Sequence, residues 1–413
     1  MPQQFLLDHQ SKPAKTYYTY GHFTTLITPL LALIVIISVV AFQLLHLTFV
    51  RATGPERTVP FPNTLAPGIA YRQAKGPADP QRHIMLSIGL RPRDQEGLTR
   101  TLQDIMRPGS PHYHLFFTPA QYATRFSPTE DTYTRLAERL QGAGFTITRT
   151  YTHRLLIDFS GTIGQAERFF HVAINSYTDP WGQSYDANSA APQLPVSVAG
   201  DVLSINGLNT VTNWYHVEQL QPRPRGDEKP RANWCPGPGV ATLTSSPLAT
   251  PYTITGLHEG ETVALLALNT FKTSELAAYI VCTRPNHPAL HISANGANPM
   301  PVETGQSEVE TDSAFILDAA PHIRTLKIYT AGNNDAGDLA AWAQIIQDAP
   351  PLVVTDWSQC EAAATPQTLV QENVLFQAAA LQGQNIFAAA SDTGAMRCAD
   401  PLRDGVPLKQ ASS

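Results

Sequence analysis

The sequence predicts an α/β protein built as an apolar N-terminal helix, a compact α+β unit, and a second domain on a parallel sheet. Three observations predict it. Residues Thr24 to Val50 are apolar and carry no formal charge. From His83 to about Leu208, short alternating strands mix with helical periods. From Val263 to Ser391, near-continuous apolar strands alternate with helices, the pattern of a parallel sheet covered on both faces.

The 413 residues suffice for two to three domains at about 150 residues each. Hydrophobic residues make up 43% and charged residues 15%, which excludes a disordered polyelectrolyte. Lys and Arg total 28 against 34 Asp and Glu, a net charge of -6, with no basic run to track a phosphate backbone. Nucleic acid is therefore excluded as an expected partner.

As a helix, residues 24–50 would reach about 40 Å, enough to span a bilayer with tilt. The run is longer than a signal peptide's apolar region, so it reads as a retained anchor, with a cleaved leader as the alternative. Lys12 and Lys15 before it are balanced by Arg51 and Arg57 after it, so flanking charge does not orient it. The expectation is a single-pass membrane protein, in contact with lipid through residues 24–50 and with its later regions outside the cytosol. Residues 1–23 form a tail before the anchor, and the Pro-rich stretch 51–80 reads as a stalk.

The α+β unit, residues 81–209, opens with the strand HIMLSIGL. A helix near Asp94 to Met106 and a second helical region near Pro119 to Gln141 follow. The strands FTITRTY and LLIDFSG come next, then a helix around Gln165 to Phe170 and the strand HVAINSY. Residues 210–240 include QPRPRGDEKPR and show no period that could bury a face, so they read as an exposed linker. In residues 241–413, the strands VALLAL, TLKIYTA, LVVTDWS and NIFAAAS alternate with helices. These lie near Ser274 to Val281, Ser307 to Ala320, Asp338 to Gln347 and Pro366 to Gln382. In the last helix, Thr365 can cap, Pro366 suits the first position, and Val370, Val374, Ala378 and Leu381 form one apolar stripe facing the sheet.

Glu308 and Asp312 are four apart on a predicted helix and so share a face, either as a solvated surface or as a working pair. Asp392 follows the strand NIFAAAS, where ligand sites of α/β sheets gather, although an Asp there can equally bind its own turn. His112 and His114 form an HxH in a polar turn, readable as structure or as a metal or base site. The four cysteines, Cys235, Cys282, Cys360 and Cys398, are too widely spaced for a zinc ribbon.

The order of these signals resembles the sedolisin, or serine-carboxyl peptidase, family. PGSPHYHLFFTPAQYATRF, RLLIDFSGTIGQAERFF and YDANSAAPQLP, with Gly207-Leu208, resemble that family's activation propeptide. Glu308-Val309-Glu310-Thr311-Asp312 matches its Glu-x-x-x-Asp helix, VVTDWSQCE its strand and turn, and QGQNIFAAASDTG the turn bearing its oxyanion Asp. The resemblance implies a ferredoxin-like propeptide domain followed by part of a subtilisin-like sheet domain. It implies Glu308 as general base to a serine, Asp312 as the carboxylate orienting it, and Asp392 as oxyanion donor. It also implies a Cys360–Cys398 disulfide, with Cys235 and Cys282 as the remaining pair. The implied partners are a peptide or protein substrate and the chain's own propeptide in cis.

Carboxylate chemistry suits acid. A base with an ordinary pKa near 4.3 is half ionised where a histidine is almost wholly protonated, and a protonated Asp can donate to an oxyanion. Acid is further expected to free the propeptide by weakening carboxylate contacts between the domains.

The family's nucleophile lies in a Gly-Thr-Ser segment beyond the oxyanion Asp, followed by a calcium site. Here Gly161-Thr162 is followed by Ile163, and Ser412 and Ser413 end the chain without that motif. Ala267 stands where relatives often carry a Glu, and Asp356 and Ser358 flank Trp357 where Ser and Gly are usual. The expectation is a proenzyme truncated before its catalytic Ser, without cofactor and without turnover as it stands. The alternative is a non-enzymatic propeptide-like module that binds or inhibits another peptidase.

Overall fold

The computed structural model describes residues 56–178, 184–211, 261–271, 273–274, 276–277, 291–297, 306–320, 323–359 and 364–389. The elements below all belong to the unit Arg57–Ser413.

The first part contains β1 (Thr58–Pro60), β2 (Gly76–Pro77), β3 (His83–Leu90), α1 (Gln95–Met106), α2 (Pro119–Arg125) and α3 (Glu130–Gly142). It continues with β4 (Thr146–Thr150), β5 (Leu156–Thr162), α4 (Ile163–Phe170), β6 (Ile174–Thr178), β7 (Ser184–Asn188), β8 (Gln193–Pro195), α5 (Val196–Ala199) and β9 (Val202–Asn206). Four strands form an antiparallel sheet in the order β4-β5-β3-β9. With helices crossing between β3 and β4 and between β5 and β9, this is the split β-α-β arrangement. Side-chain hydroxyls and carboxylates start the helices: Asp94 accepts from Gly97 N at 2.8 Å, while Thr118 and Thr162 each close a capping box. The helical region expected from Pro119 to Gln141 is two helices. Pro128 biases Ser127 away from helical backbone, and Thr129 caps the restart.

The sheet has two unlike faces. Leu86, Ile88, Ile157 and Phe159 pack on Leu136, Leu140, Ile163, Ala166 and Phe170 to form a core. On the opposite face, reached by the two-residue alternation, lie the buried polar residues Ser87, Asp158, Ser204 and Asn206. The expected stalk is folded from Thr58 onward. β1 pairs with β8, β2 pairs with β6, and Phe61, Ala66, Ile69 and Ala78 are buried. Those scattered apolar residues carry no period, which is why they read as linker.

The second part contains β10 (Thr262–Ala267), β11 (His291–Ala297), α6 (Gln306–Ala319), β12 (Thr325–Ala331), α7 (Asp335–Asp348), β13 (Leu352–Thr355), α8 (Pro366–Leu381) and β14 (Asn385–Ala388). Its strands form a five-stranded parallel sheet in the order β11-β12-β10-β13-β14. Val263, Leu265, Ala267 and Ile328 face Val309 and Leu317 of α6. Ala264, Leu266, Tyr329 and Val353 face α7 and α8, where Trp342 and Phe376 meet edge to face at 4.9 Å. Thr365 caps α8 by accepting from Thr368 N, with Pro366 in the first turn, as the sequence predicts.

The layers therefore run α6, parallel sheet, α7 with α8, antiparallel sheet, α3 with α4. The two middle helices are covered on both sides. Val374, Ala378 and Leu381 take the expected stripe, but Val370 is exposed, and Gln367, Thr368, Gln371 and Glu372 are buried against the α+β layer.

The membrane reading is corrected. Among the described residues no helix is long and apolar enough to cross a membrane. The longest, α8, has 16 residues, about 24 Å of rise against a hydrocarbon core of about 30 Å. Residues 24–50 lie outside the described residues. The single-pass location and lipid as a partner are withdrawn.

Candidate functional site

In a parallel sheet the connecting helices run opposite to the strands, so the first turns of α6, α7 and α8 stand at the carboxyl edge with the ends of β10 to β14. Glu308 and Asp312 lie in the first two turns of α6. Val309 and Ser313, one residue further on in each turn, are buried, and Ser313 Oγ donates to Val309 O at 2.6 Å. Asp312 thus flanks the buried stripe rather than pointing directly away from it. Asp312 is half-buried, whereas the Glu308 side chain lies outside the described residues. So do Asp392, which follows β14, and Cys235, Cys282, Cys360 and Cys398.

Two further edge positions are built firmly. Ala267 is fully buried at the end of β10. Trp357 is buried beyond β13, its N–H donating to Thr355 Oγ1 at 3.2 Å. His112 and His114 belong to a surface turn: His112 Nδ1 meets Asp104 Oδ2 at 2.7 Å, and His114 stacks on Tyr113 at 3.8 Å. Both side chains are used in local contacts. Among the described residues no group of three or more His, Cys, Asp or Glu could hold a metal ion.

The most developed polar construction is the seam between the antiparallel sheet and α7 with α8. Ser204 Oγ donates to Gln371 Oε1 and Gln371 Nε2 to Leu155 O, both at 3.1 Å. Thr368 Oγ1 donates to Asn206 Oδ1 at 3.2 Å, Thr152 N to Gln347 Oε1 at 2.8 Å, and Phe117 N to Leu381 O at 2.8 Å. Under this seam the carboxyls of Asp338 of α7 and Glu372 of α8 are buried beside each other. Burial first, then for Asp338 the neighbouring Glu372 charge, drive their pKa values up: Glu372 to about 7, Asp338 well above the usual carboxylate range. The pair is therefore best held sharing a proton.

A cavity of about 740 Å³ opens between β3 to β5 and the first turn of α7, lined by Arg82, His83, Arg149, Asp158, Asn209 and Gly337 among others. Thr210 also lines it, so the chain enters the linker from this cavity.

The seam is what sequence reasoning missed. Its signal was present: Glu372 is the one charged residue in Pro366–Leu381, a helix whose second face carries amides and hydroxyls where a solvated face would carry Lys and Glu.

Fold and site define a chain in which an α+β domain is docked onto a parallel-sheet domain with acidic residues at its carboxyl edge. Residues 70–211 match the family described as Pro-kumamolisin, activation domain. Xanthomonalisin of Xanthomonas sp. (strain T-22) is 26% identical over 81% of this chain and 42% of its own length. Sedolisin of Pseudomonas sp. (strain 101) is 26% identical over 76% of this chain and 54% of its own, and kumamolisin of Bacillus sp. (strain MN-32) 25% over 82% and 62%. The chain thus carries a pro-kumamolisin activation domain and is similar over most of its length to peptidases of the sedolisin family. It spans about half the length of the curated relatives it matches.

Proposed function

We propose that these residues carry the activation domain and the first part of the peptidase domain of a sedolisin-type serine-carboxyl endopeptidase proenzyme. The carrying observation is the position of Glu308 and Asp312 at the start of α6, on the same sheet edge that the chain leaves β14 to reach Asp392. In this reading Glu308 takes the proton of a serine, Asp312 orients Glu308, and protonated Asp392 donates to the oxyanion. No step involves a metal. A Cys360–Cys398 bridge would tie the segments after β13 and β14, and mass mapping of unreduced peptides tests it.

Docking in cis is favoured over a module acting on another peptidase, because the polar face such a module would present is already buried on α7 and α8. These 413 residues contain no Gly-Thr-Ser segment, so the chain at this length is expected to show no turnover. The experiment is to sequence the transcript past codon 413 and assay the product joined to any Gly-Thr-Ser segment found there. It is expected to cleave denatured protein at about pH 3 to 5, and Glu308→Gln to lose at least about 100-fold. Full activity in the Glu308 variant refutes the assignment.

A further inference from the structure

Helix α7 presents two carbonyls, Ala340 O and Ala343 O, to a single turn of the α+β layer. Tyr151 Oη lies 3.2 Å from Ala340 O and 2.5 Å from Asp158 Oδ2. His153 Nε2 lies 3.0 Å from Ala343 O, and its ring stacks on Tyr151 with centroids 5.1 Å apart. All three side chains are buried.

A phenol has one proton and cannot donate to two acceptors at once. With a proton on Asp158 the series closes: Asp158 donates to Tyr151, and Tyr151 donates to Ala340. His153 has the reverse need. Its Nδ1 accepts from Leu155 N at 3.1 Å while Nε2 donates to Ala343 O, an arrangement open only to the neutral ring protonated on Nε2. A second proton on Nδ1 would point at the Leu155 N–H.

We propose that Asp158 and His153 are opposed proton sites at this seam, Asp158 favouring closure in acid and His153 favouring opening, so that losing either one shifts the pH dependence of opening in opposite directions.

The surrounding charges leave this pairing in place. Arg149 of β4 donates to Gln344 of α7, and Arg154 lies 3.7 Å from Glu130 of α3. Tyr133 of α3 accepts from Tyr151 N. Arg82 and His83 line the cavity beside Asp158. Helix α7 carries Asp335, Asp338 and Asp348, and α8 carries Glu372 next to Gln371, which reaches Leu155 O.

Burial raises the Asp158 carboxyl from 3.8 to about 7, and burial lowers His153 from 6.5 to about 4. For Asp158 the folded value lies above the unfolded one, so its support for closure is complete below about 3.8 and lost as pH rises to about 7. For His153 the folded value lies below, so its support is complete above about 6.5 and lost as pH falls to about 4. Opening thus releases one proton and takes up another. The two contributions therefore oppose each other between pH 7 and 4, beside that of Glu372, which the wild type and the variants share. Relative to the wild type over the same interval, opening should fall on the order of 100-fold further with His153 made non-ionising, and should rise by at least the same order with Asp158 made non-ionising.

The test is hydrogen exchange on the full 413-residue chain, read as protection factors at the Phe117 and Thr152 amides, whose bonds cross the seam. Relative to the wild type, His153→Gln is expected to gain protection as pH falls from 7 to 4, and Asp158→Asn, whose amide can donate to Tyr151, to lose it. Should His153→Gln fail to fold, the wild type and Asp158→Asn decide. An Asp158→Asn chain with the pH dependence of the wild type, or two variants that shift the same way, overturns the proposal. No turnover is read, so its failure is distinct from failure of the peptidase reading.

Discussion

Gly89 has no room for a side chain, and adding one tests whether the seam is a fitted contact. A Cβ there would stand 1.7 Å from Gln371 Oε1 and 2.3 Å from Ser204 Oγ, the two atoms of one cross-seam hydrogen bond. Ordinary contact needs at least about 3.4 Å, and Gln371 is fully buried. Clearing the methyl means swinging Gln371 away from both Ser204 and Leu155. Two net hydrogen bonds at about 1 kcal/mol each, plus packing strain, put Gly89→Ala at about 2 to 4 kcal/mol. The readout is the free energy of seam opening from exchange at the Phe117 amide. Gln371→Ala makes space for the methyl, so the double variant should fall short of additivity by about 1 to 2 kcal/mol. A Gly89→Ala chain within about 0.5 kcal/mol of wild type, or strict additivity in the cycle, refutes the reasoning.

Two predictions concern the helices below. Asn334 caps α7 by accepting from Gly337 N at 3.0 Å, so Asn334→Ala should lower the urea midpoint by the equivalent of about 1 kcal/mol with the slope unchanged. Glu372 has its folded pKa raised from 4.5 to about 7, so its contribution is complete below about 4.5 and lost as pH rises through about 7. Glu372→Gln cannot ionise and should gain on the wild type between pH 5 and 8, on the order of 2 kcal/mol. An equal gap at both pH values in urea titrations would count against the shared proton.

Periodic segments were legible in the residues themselves. The strands HIMLSIGL and TLKIYTA have the predicted bounds, and Thr365-Pro366 started α8 where expected, because alternation and capping are local signals. Strands β1, β2, β7 and β8 were not legible, since their side chains do not alternate cleanly and only distant partners give them pairing. The Glu308–Asp312 spacing was readable from helical geometry alone. The buried acids Asp158, Asp338 and Glu372 were not, because what perturbs them is burial by segments up to two hundred residues away. The expectation that acid loosens carboxylate contacts between the two parts also fails for Asp158. Raised pKa values mean that protonation relieves a buried charge rather than breaking an ion pair.

The two unlike faces of the antiparallel sheet bear on the order of assembly. Its apolar face closes a core using only residues between Phe61 and Leu208, so that layer can consolidate while the ribosome is still delivering the rest. Its polar face must wait for α7 and α8, whose bonding partners lie 162 to 305 positions away in the chain. Until then it exposes hydroxyls, an amide and a carboxyl to water, beside Leu98, Ile105, Tyr151 and Leu155, which share a core with α7 and α8. The nascent half thus offers a mixed docking surface, whose polar part lowers but does not remove its stickiness while aggregation competes with folding.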